Sequence, residues 1–279
     1  AKVSDEVSES SHEENEEEES QNDLESTPLE DVLSAETDEE LTTALKQFRS
    51  AGLRRKAASA AVAGMAYVST DFVFDGASVG TPYPVDAAVN PLSVYGASKR
   101  IGEEAVLAHG RDDFYVVRTS WVYGPGGKNF PRAILNCARA GQPLKVVTDQ
   151  VGRPTMTHDL AEALLDVQRI KPPGGIYHAA NEGQCSWHQF AVDTLAAAGL
   201  NDVAVGEQTA ADLNLPAARP AWSVLDTSKL ASVRGKGLPD YHDALLRHVP
   251  LDVAARSAQA EGRSSAGGAS SGELRGTQY

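Results

Sequence analysis

The sequence predicts an α/β fold: a doubly wound parallel sheet, incomplete on its N-terminal side, followed by a smaller α+β lobe. Three observations carry this. From Met65 to Val249 short apolar runs alternate with helix-length segments, the order expected of a mostly parallel sheet with helices on its faces. The run Met65-Ala66-Tyr67-Val68-Ser69 and the run over residues 114–122 are nearly continuous in apolar residues, as strands covered on both faces are. Ser69-Thr70-Asp71 comes where the first strand ends, and the carboxyl end of a parallel strand delivers side chains into a ligand crevice.

Taken in order, the chain opens on residues 1–28, which include Glu13-Glu14-Asn15-Glu16-Glu17-Glu18-Glu19 and almost nothing apolar. Such a stretch buries too little surface to offset the entropy of ordering, and is expected to be disordered. Leu33, Leu41, Leu45, Phe48 and Leu53 recur at near-helical intervals after Thr37-Asp38, which predicts one or two amphipathic helices. An Ala-rich segment over 54–64 leads into the strand that ends at Ser69. Helices are then expected over 92–109, 129–140, 158–165 and 186–198, the last ended by Gly199, and strands over 114–122, 144–147 and 175–178. Two short helices follow over 226–230 and 240–249, and a Ser/Gly/Ala-rich flexible tail over 257–278.

The 279 residues carry a formal net charge of −14. Residues 1–40 hold 17 Asp and Glu against Lys2 alone, a net of −16, and the remainder is +2. The body is therefore close to neutral, with no broad cationic field for nucleic acid or an anionic membrane. No apolar run is long enough for a membrane-spanning helix. Cys137 and Cys185 lack metal-ligand or disulfide-framework spacing, so the expected compartment is reducing and cytoplasmic. The seven histidines show no paired ligand spacing, and no metal site is assigned.

Tyr95-Gly96-Ala97-Ser98-Lys99 sets a phenol and an ammonium four residues apart, on one face of a helix. That suits a proton donor whose pKa an adjacent cation lowers. Alone, the spacing equally describes a tyrosine packed on the core beside a snorkelling lysine. Thr70 changes the balance, because a hydroxyl at a strand end can bind a substrate carbonyl while Tyr95 supplies a proton. The competing role for Ser-Thr-Asp is a helix cap, but Phe72-Val73-Phe74-Asp75-Gly76 reads as a strand and turn. Trp121, before a Tyr-Gly turn, suits either core or a crevice rim on which a sugar or base stacks. Arg153, between Gly152 and Pro154, suits a diphosphate grip or a plain surface site. Gly124-Pro125-Gly126-Gly127-Lys128 lacks phosphate-loop spacing and is read as a turn.

The blocks Tyr67-Val68-Ser69-Thr70-Asp71-Phe72-Val73-Phe74-Asp75-Gly76 and Asn90-Pro91-Leu92-Ser93-Val94-Tyr95-Gly96-Ala97-Ser98-Lys99 resemble the dTDP-4-dehydrorhamnose reductases, extended short-chain dehydrogenase/reductases. Three further blocks, beginning at Arg118, Asp149 and Arg219, resemble the family in its order, over residues 65–249. The resemblance implies a Rossmann-like fold and reduction of the 4-keto group of a dTDP-6-deoxyhexulose by NADPH or NADH. It implies Tyr95 as proton donor, Lys99 on the nicotinamide ribose and lowering the tyrosine pKa, and Thr70 tuning the donor and touching substrate. It places Tyr67 near the cofactor and Asp71 and Trp121 on the sugar nucleotide. It also implies a layout of acidic tail 1–28, partial dinucleotide-binding and catalytic domain 29–149, substrate-binding lobe 150–250 and flexible tail 251–279. The expected partners are a dTDP-sugar and a second copy of the chain. The family's opening glycine-rich fingerprint is not found before Met65. A non-catalytic relative of the same fold, such as the methionine adenosyltransferase regulatory subunit, is the alternative.

Overall fold

The computed structural model describes residues 64–213 and 217–265. The expected acidic tail, the amphipathic helices before residue 56 and residues 266–279 lie outside these.

Strand β1 (Met65–Thr70) leads into a 3-10 turn (Asp71–Val73), and helix α1 spans Val94–Leu107. Then come β2 (Phe114–Thr119), β3 (Val122–Tyr123), α2 (Phe130–Arg139) and β4 (Leu144–Val147). The chain continues through β5 (Val151–Gly152), β6 (Thr155–Met156), α3 (Thr157–Ile170), β7 (Gly175–His178) and β8 (Cys185–Ser186). It closes with α4 (Trp187–Ala197), β9 (Val205–Gln208), α5 (Ser228–Arg234) and α6 (Tyr241–Ser265).

The main sheet has the order β1-β2-β7 and is wholly parallel, with Tyr67 opposite Val116 and Val117 opposite Tyr177. Every residue of β2 is buried, as the apolar run Phe114-Tyr115-Val116-Val117 predicts for a central strand. Tyr115, Val117 and Tyr177 pack with Leu160, Val167 and Leu230 into the core between the sheet and helices α3 and α5. A second core, from Ile134 and Leu135 of α2, Leu144 and Val146 of β4 and Leu195 of α4, supports the parallel pair β4–β9.

Several expectations change. The strand expected over 114–122 breaks after Thr119, and Trp121 takes a left-handed φ of 46°. Residues 72–74 form a 3-10 turn and its cap, not a strand, because the Thr70 hydroxyl accepts from the Phe72 amide. β7 lies beyond residue 150 yet joins the main sheet, carried back by α3. The tail expected to be flexible from 251 is helical to Ser265. Leu251 to Gly262 holds four Ala and one each of Arg, Gln and Glu, and these strong helix formers favour a helix that runs on past Pro250. The backbone bond that Pro250 forfeits falls on the turn of Leu246, whose side chain is exposed. Among the described residues no helix is long and apolar enough to cross a membrane, and both cysteines are free.

Candidate active site

β1 and α1 build the site between them. The Thr70 hydroxyl, at the carboxyl end of β1, accepts from Phe72 N at 3.2 Å and donates to Asp71 Oδ1 at 3.0 Å. Asp71 is 1% exposed. Burial pushes its carboxyl up to about 6, against the pull of hydrogen bonds from Ser223, Thr70 and backbone amides.

α1 begins at Ser93, whose hydroxyl accepts from Gly96 N at 3.2 Å, an ordinary cap. Tyr95 then sits in the first turn, its ring edge-on to Phe72 at 5.9 Å. What lets it come so near is Gly96. A Cβ there would stand 2.2 Å from the Phe72 carbonyl oxygen, so helix and turn meet backbone to backbone and only glycine fits. Further along α1, Gly102 makes room for Tyr67, whose hydroxyl oxygen would lie 2.1 Å from an added Cβ.

Thr70, Asp71 and Tyr95 therefore form one group, with the Thr70 hydroxyl at the Tyr95 phenol. The phenol is 44% exposed. Its pKa lies above the usual value, first through desolvation and then through the Asp71 charge, with the Thr70 hydrogen bond opposing. The lowering expected from Lys99 is not seen. Lys99 Nζ instead donates to the Val68 carbonyl at 3.2 Å and stands 5.3 Å from the Tyr67 ring centroid, while desolvation lowers its own pKa. The Tyr67 hydroxyl donates to the Lys99 carbonyl at 3.4 Å, and burial pushes it up to about 12.

A buried ion pair ties these elements together. Arg118 of β2 grips Glu103 of α1 with Nε–Oε1 at 2.8 Å and Nη2–Oε2 at 2.7 Å, both side chains at most 1% exposed. Ser69, next to Thr70, donates to Glu103 Oε1 at 2.6 Å. Glu103 is two turns from Tyr95 and was missed in the sequence. Its signal was an acid on the face of α1 that carries Tyr95 and Lys99.

Trp121 and Arg153 arrive by the short strands. Ser223 links them to Asp71, since its amide donates to Val151 O of β5 at 2.9 Å. Next to Val151, Gly152 meets Trp121, where a Cβ would be 2.5 Å from indole Cε2. Trp121 also stacks on Trp187 at 3.7 Å with planes 8° apart, and its ring centroid lies 6.5 Å from that of Phe190. The left-handed backbone of Trp121 costs roughly 1–2 kcal/mol, which these neighbours must hold. Ser120 Oγ donates to the Arg153 carbonyl at 2.7 Å. The Arg153 guanidinium is engaged through Nη1 with Glu182 Oε2 and Thr227 Oγ1, each at 3.2 Å, while its buried Nε has no partner. Among the described residues no cluster suited to a metal ion occurs.

The buried histidines give a pH dependence with a defined sign. Burial and the neighbouring Arg118 push His178 down to about 3, and burial also lowers His248. Unfolded, both take a proton near 6.5, so stability falls as pH drops below that value, for His178 down to about pH 3. Asp71 works oppositely, because its folded pKa is the higher one and stability is lost as pH rises from about 4 to about 6. Two histidines outweigh one carboxyl. The urea midpoint is expected to be lower at pH 5 than at pH 7.5, and an equal or higher midpoint at pH 5 would refute the assignment.

Comparison with known proteins identifies the family. Residues 26–251 match the RmlD substrate binding domain family, a match that starts ahead of the expected residue 65. The spore coat polysaccharide biosynthesis protein SpsK of Bacillus subtilis is 43% identical over 57% of this chain and 54% of its own length. The dTDP-4-dehydrorhamnose reductase of Streptomyces griseus is 40% identical over 66% of this chain and 61% of its own. The chain thus spans well under two thirds of these relatives. Among solved structures, a dTDP-4-dehydrorhamnose reductase of Clostridium acetobutylicum is 35% identical with a TM-score of 0.64, covering 75% of this chain and 70% of that one. That of Bacillus anthracis, in complex with NADP, is 29% identical with the same TM-score, covering 73% and 70%. With four fifths of its length matched and its strand-end hydroxyl set beside its helix-borne phenol, the chain belongs to the RmlD substrate binding domain family.

Proposed function

We propose that this chain is the catalytic and sugar-binding part of an NAD(P)H-dependent reductase acting on the 4-keto group of a dTDP-6-deoxyhexulose. The observation that carries the reading is the Thr70–Asp71–Tyr95 group at the carboxyl end of β1, with Lys99 one turn beyond Tyr95.

The chemistry follows from the environments. The raised pKa of Tyr95 keeps its proton on at neutral pH, so the acid is loaded before reaction. The Thr70 hydroxyl accepts from Phe72 N and gives its one proton to Asp71 Oδ1, so it donates to the carbonyl oxygen that takes the Tyr95 proton by turning that proton from Asp71 to the substrate. Asp71 and the unpartnered Arg153 Nε are the groups left for sugar hydroxyls and diphosphate.

The residues present fit the nicotinamide-ribose end of the cofactor. The Lys99 ammonium donates to a main-chain carbonyl of β1, beside the Tyr67 ring and one turn from the half-exposed Tyr95. Lys99 and Tyr95 would hold the ribose hydroxyls there, and the bound cofactor supplies a hydride to the carbonyl carbon.

A second feature, not visible in the sequence, suits the nucleotide end of the substrate. A cavity of about 420 Å³ opens between α2 and β4, walled by Phe130, Ile134, Val146 and Trp187 with Lys145 and Arg219 at hand. Flat apolar walls with two cations match a base carrying a diphosphate.

The test is twofold: calorimetric titration with thymidine diphosphate, and NADPH oxidation with and without the dTDP-4-keto sugar. Binding of the nucleotide together with oxidation that requires the keto sugar is the expected result. Binding without turnover would favour the alternative, a non-catalytic relative of the same fold. Neither binding nor turnover would end both readings.

A further inference from the structure

We propose that Trp187 is a positioning residue for Trp121, and that through it the filling of the cavity is felt at the sugar end of the site. The inference rests on the reading of that cavity as the nucleotide site. Trp187 opens α4 directly after β8, and the antiparallel β5–β8 pair, with Gly152 opposite Cys185, brings it to the same place as Gly152. Trp121 lies against both. It stacks on Trp187 at 3.7 Å, and no Cβ fits between it and Gly152.

These two neighbours differ in what they can do. Gly152 is backbone in a paired strand and cannot yield. Trp187 is a half-buried side chain that also walls the cavity, beside Phe130 at a centroid distance of 4.7 Å. A ring facing a cavity has fewer packing partners on that side and more freedom than one packed all round. A flat heterocycle in the cavity supplies those partners and fixes Trp187. Because the two indoles lie face to face, fixing one fixes the other, and Trp121 already holds a backbone conformation that persists only where its surroundings impose it. An occupied nucleotide pocket therefore sets the position of the side chain expected to meet the sugar. A sugar without its nucleotide finds Trp121 less well ordered.

The chain has three tryptophans, and the third, Trp222, is buried elsewhere with its indole N–H on the Thr81 carbonyl. Stacked indoles couple their transitions and give a paired circular-dichroism band that an isolated indole does not. The whole chain is titrated with thymidine diphosphate, following this band and, separately, the heat of binding. The band is expected to change with the calorimetric midpoint. Trp222→Phe should keep the band and its response. Trp187→Phe should lose the band while an aromatic wall remains, and Trp187→Leu should bind the nucleotide about tenfold more weakly than Trp187→Phe, the cost of roughly one good ring contact. Heat of binding with an unchanged band would overturn the coupling and leave the nucleotide site standing. No heat and no spectral change would overturn both.

Discussion

Replacing Tyr95 by Phe is expected to slow keto reduction by about a thousandfold, the usual scale for loss of a positioned general acid. The ring would still meet Phe72 edge-on and α1 would still cap at Ser93, so the fold and the affinity for the dTDP-sugar should stay within about twofold. Only the proton is removed. The comparison that decides is kcat against sugar-nucleotide binding, measured on the same preparation. A variant that keeps its turnover would take the proton from elsewhere, and Tyr95 would then be a packing residue. Thr70→Val should cost less, because the carbonyl would lose one hydrogen bond and keep its proton source.

Glu103→Ala is expected to be the most damaging change to stability in the described fold, on the order of 3–5 kcal/mol. It would leave Arg118 charged in a site where 1% of its surface is exposed, and would take the acceptor from Ser69 as well. At roughly 2–4 °C per kcal/mol for a unit of this size, the melting temperature should fall by about 10 °C. Pairing the change with Arg118→Met should restore most of the loss, since an absent buried pair is tolerated far better than half of one. A drop of under about 1 kcal/mol for Glu103→Ala alone would mean that water reaches the pair.

The fold class, the parallel strands and most helices were legible because their causes are local. An apolar run such as Phe114-Tyr115-Val116-Val117 in β2 has few other uses, and Ser93 and Asn129 cap the helices that their neighbours begin. The spacing of Tyr95 and Lys99 marked them only together with the hydroxyl of Thr70 at a strand end. What escaped depends on contacts far apart in the chain. The break at Trp121 needs Gly152 and Trp187 to impose it, and no property of residues 119–122 announces it. The return of β7 to the main sheet is set by the path of α3. Lys99 turned out to serve a carbonyl of β1 and not the phenol, because a flexible ammonium takes the acceptor that the fold puts nearest. The 3-10 turn after Thr70 was read as a strand because Phe-Val-Phe is apolar and short, and one amide hydrogen bond to Thr70 decided otherwise.

The contact between Gly96 and the Phe72 carbonyl gives the crevice an uneven tolerance of change. Most enzymes hold catalytic groups apart with side chains, which drift can trim or swell a little at a time. Here the spacing of phenol and hydroxyl is set where two main chains touch, and no smaller residue than glycine exists to adjust it. A library randomised at position 96 should return glycine alone, while exposed positions on the far side of α1, such as Glu104, accept many residues. Retuning this site toward another sugar therefore has to come from the walls that carry Trp121 and Arg153, because the floor offers no intermediate steps.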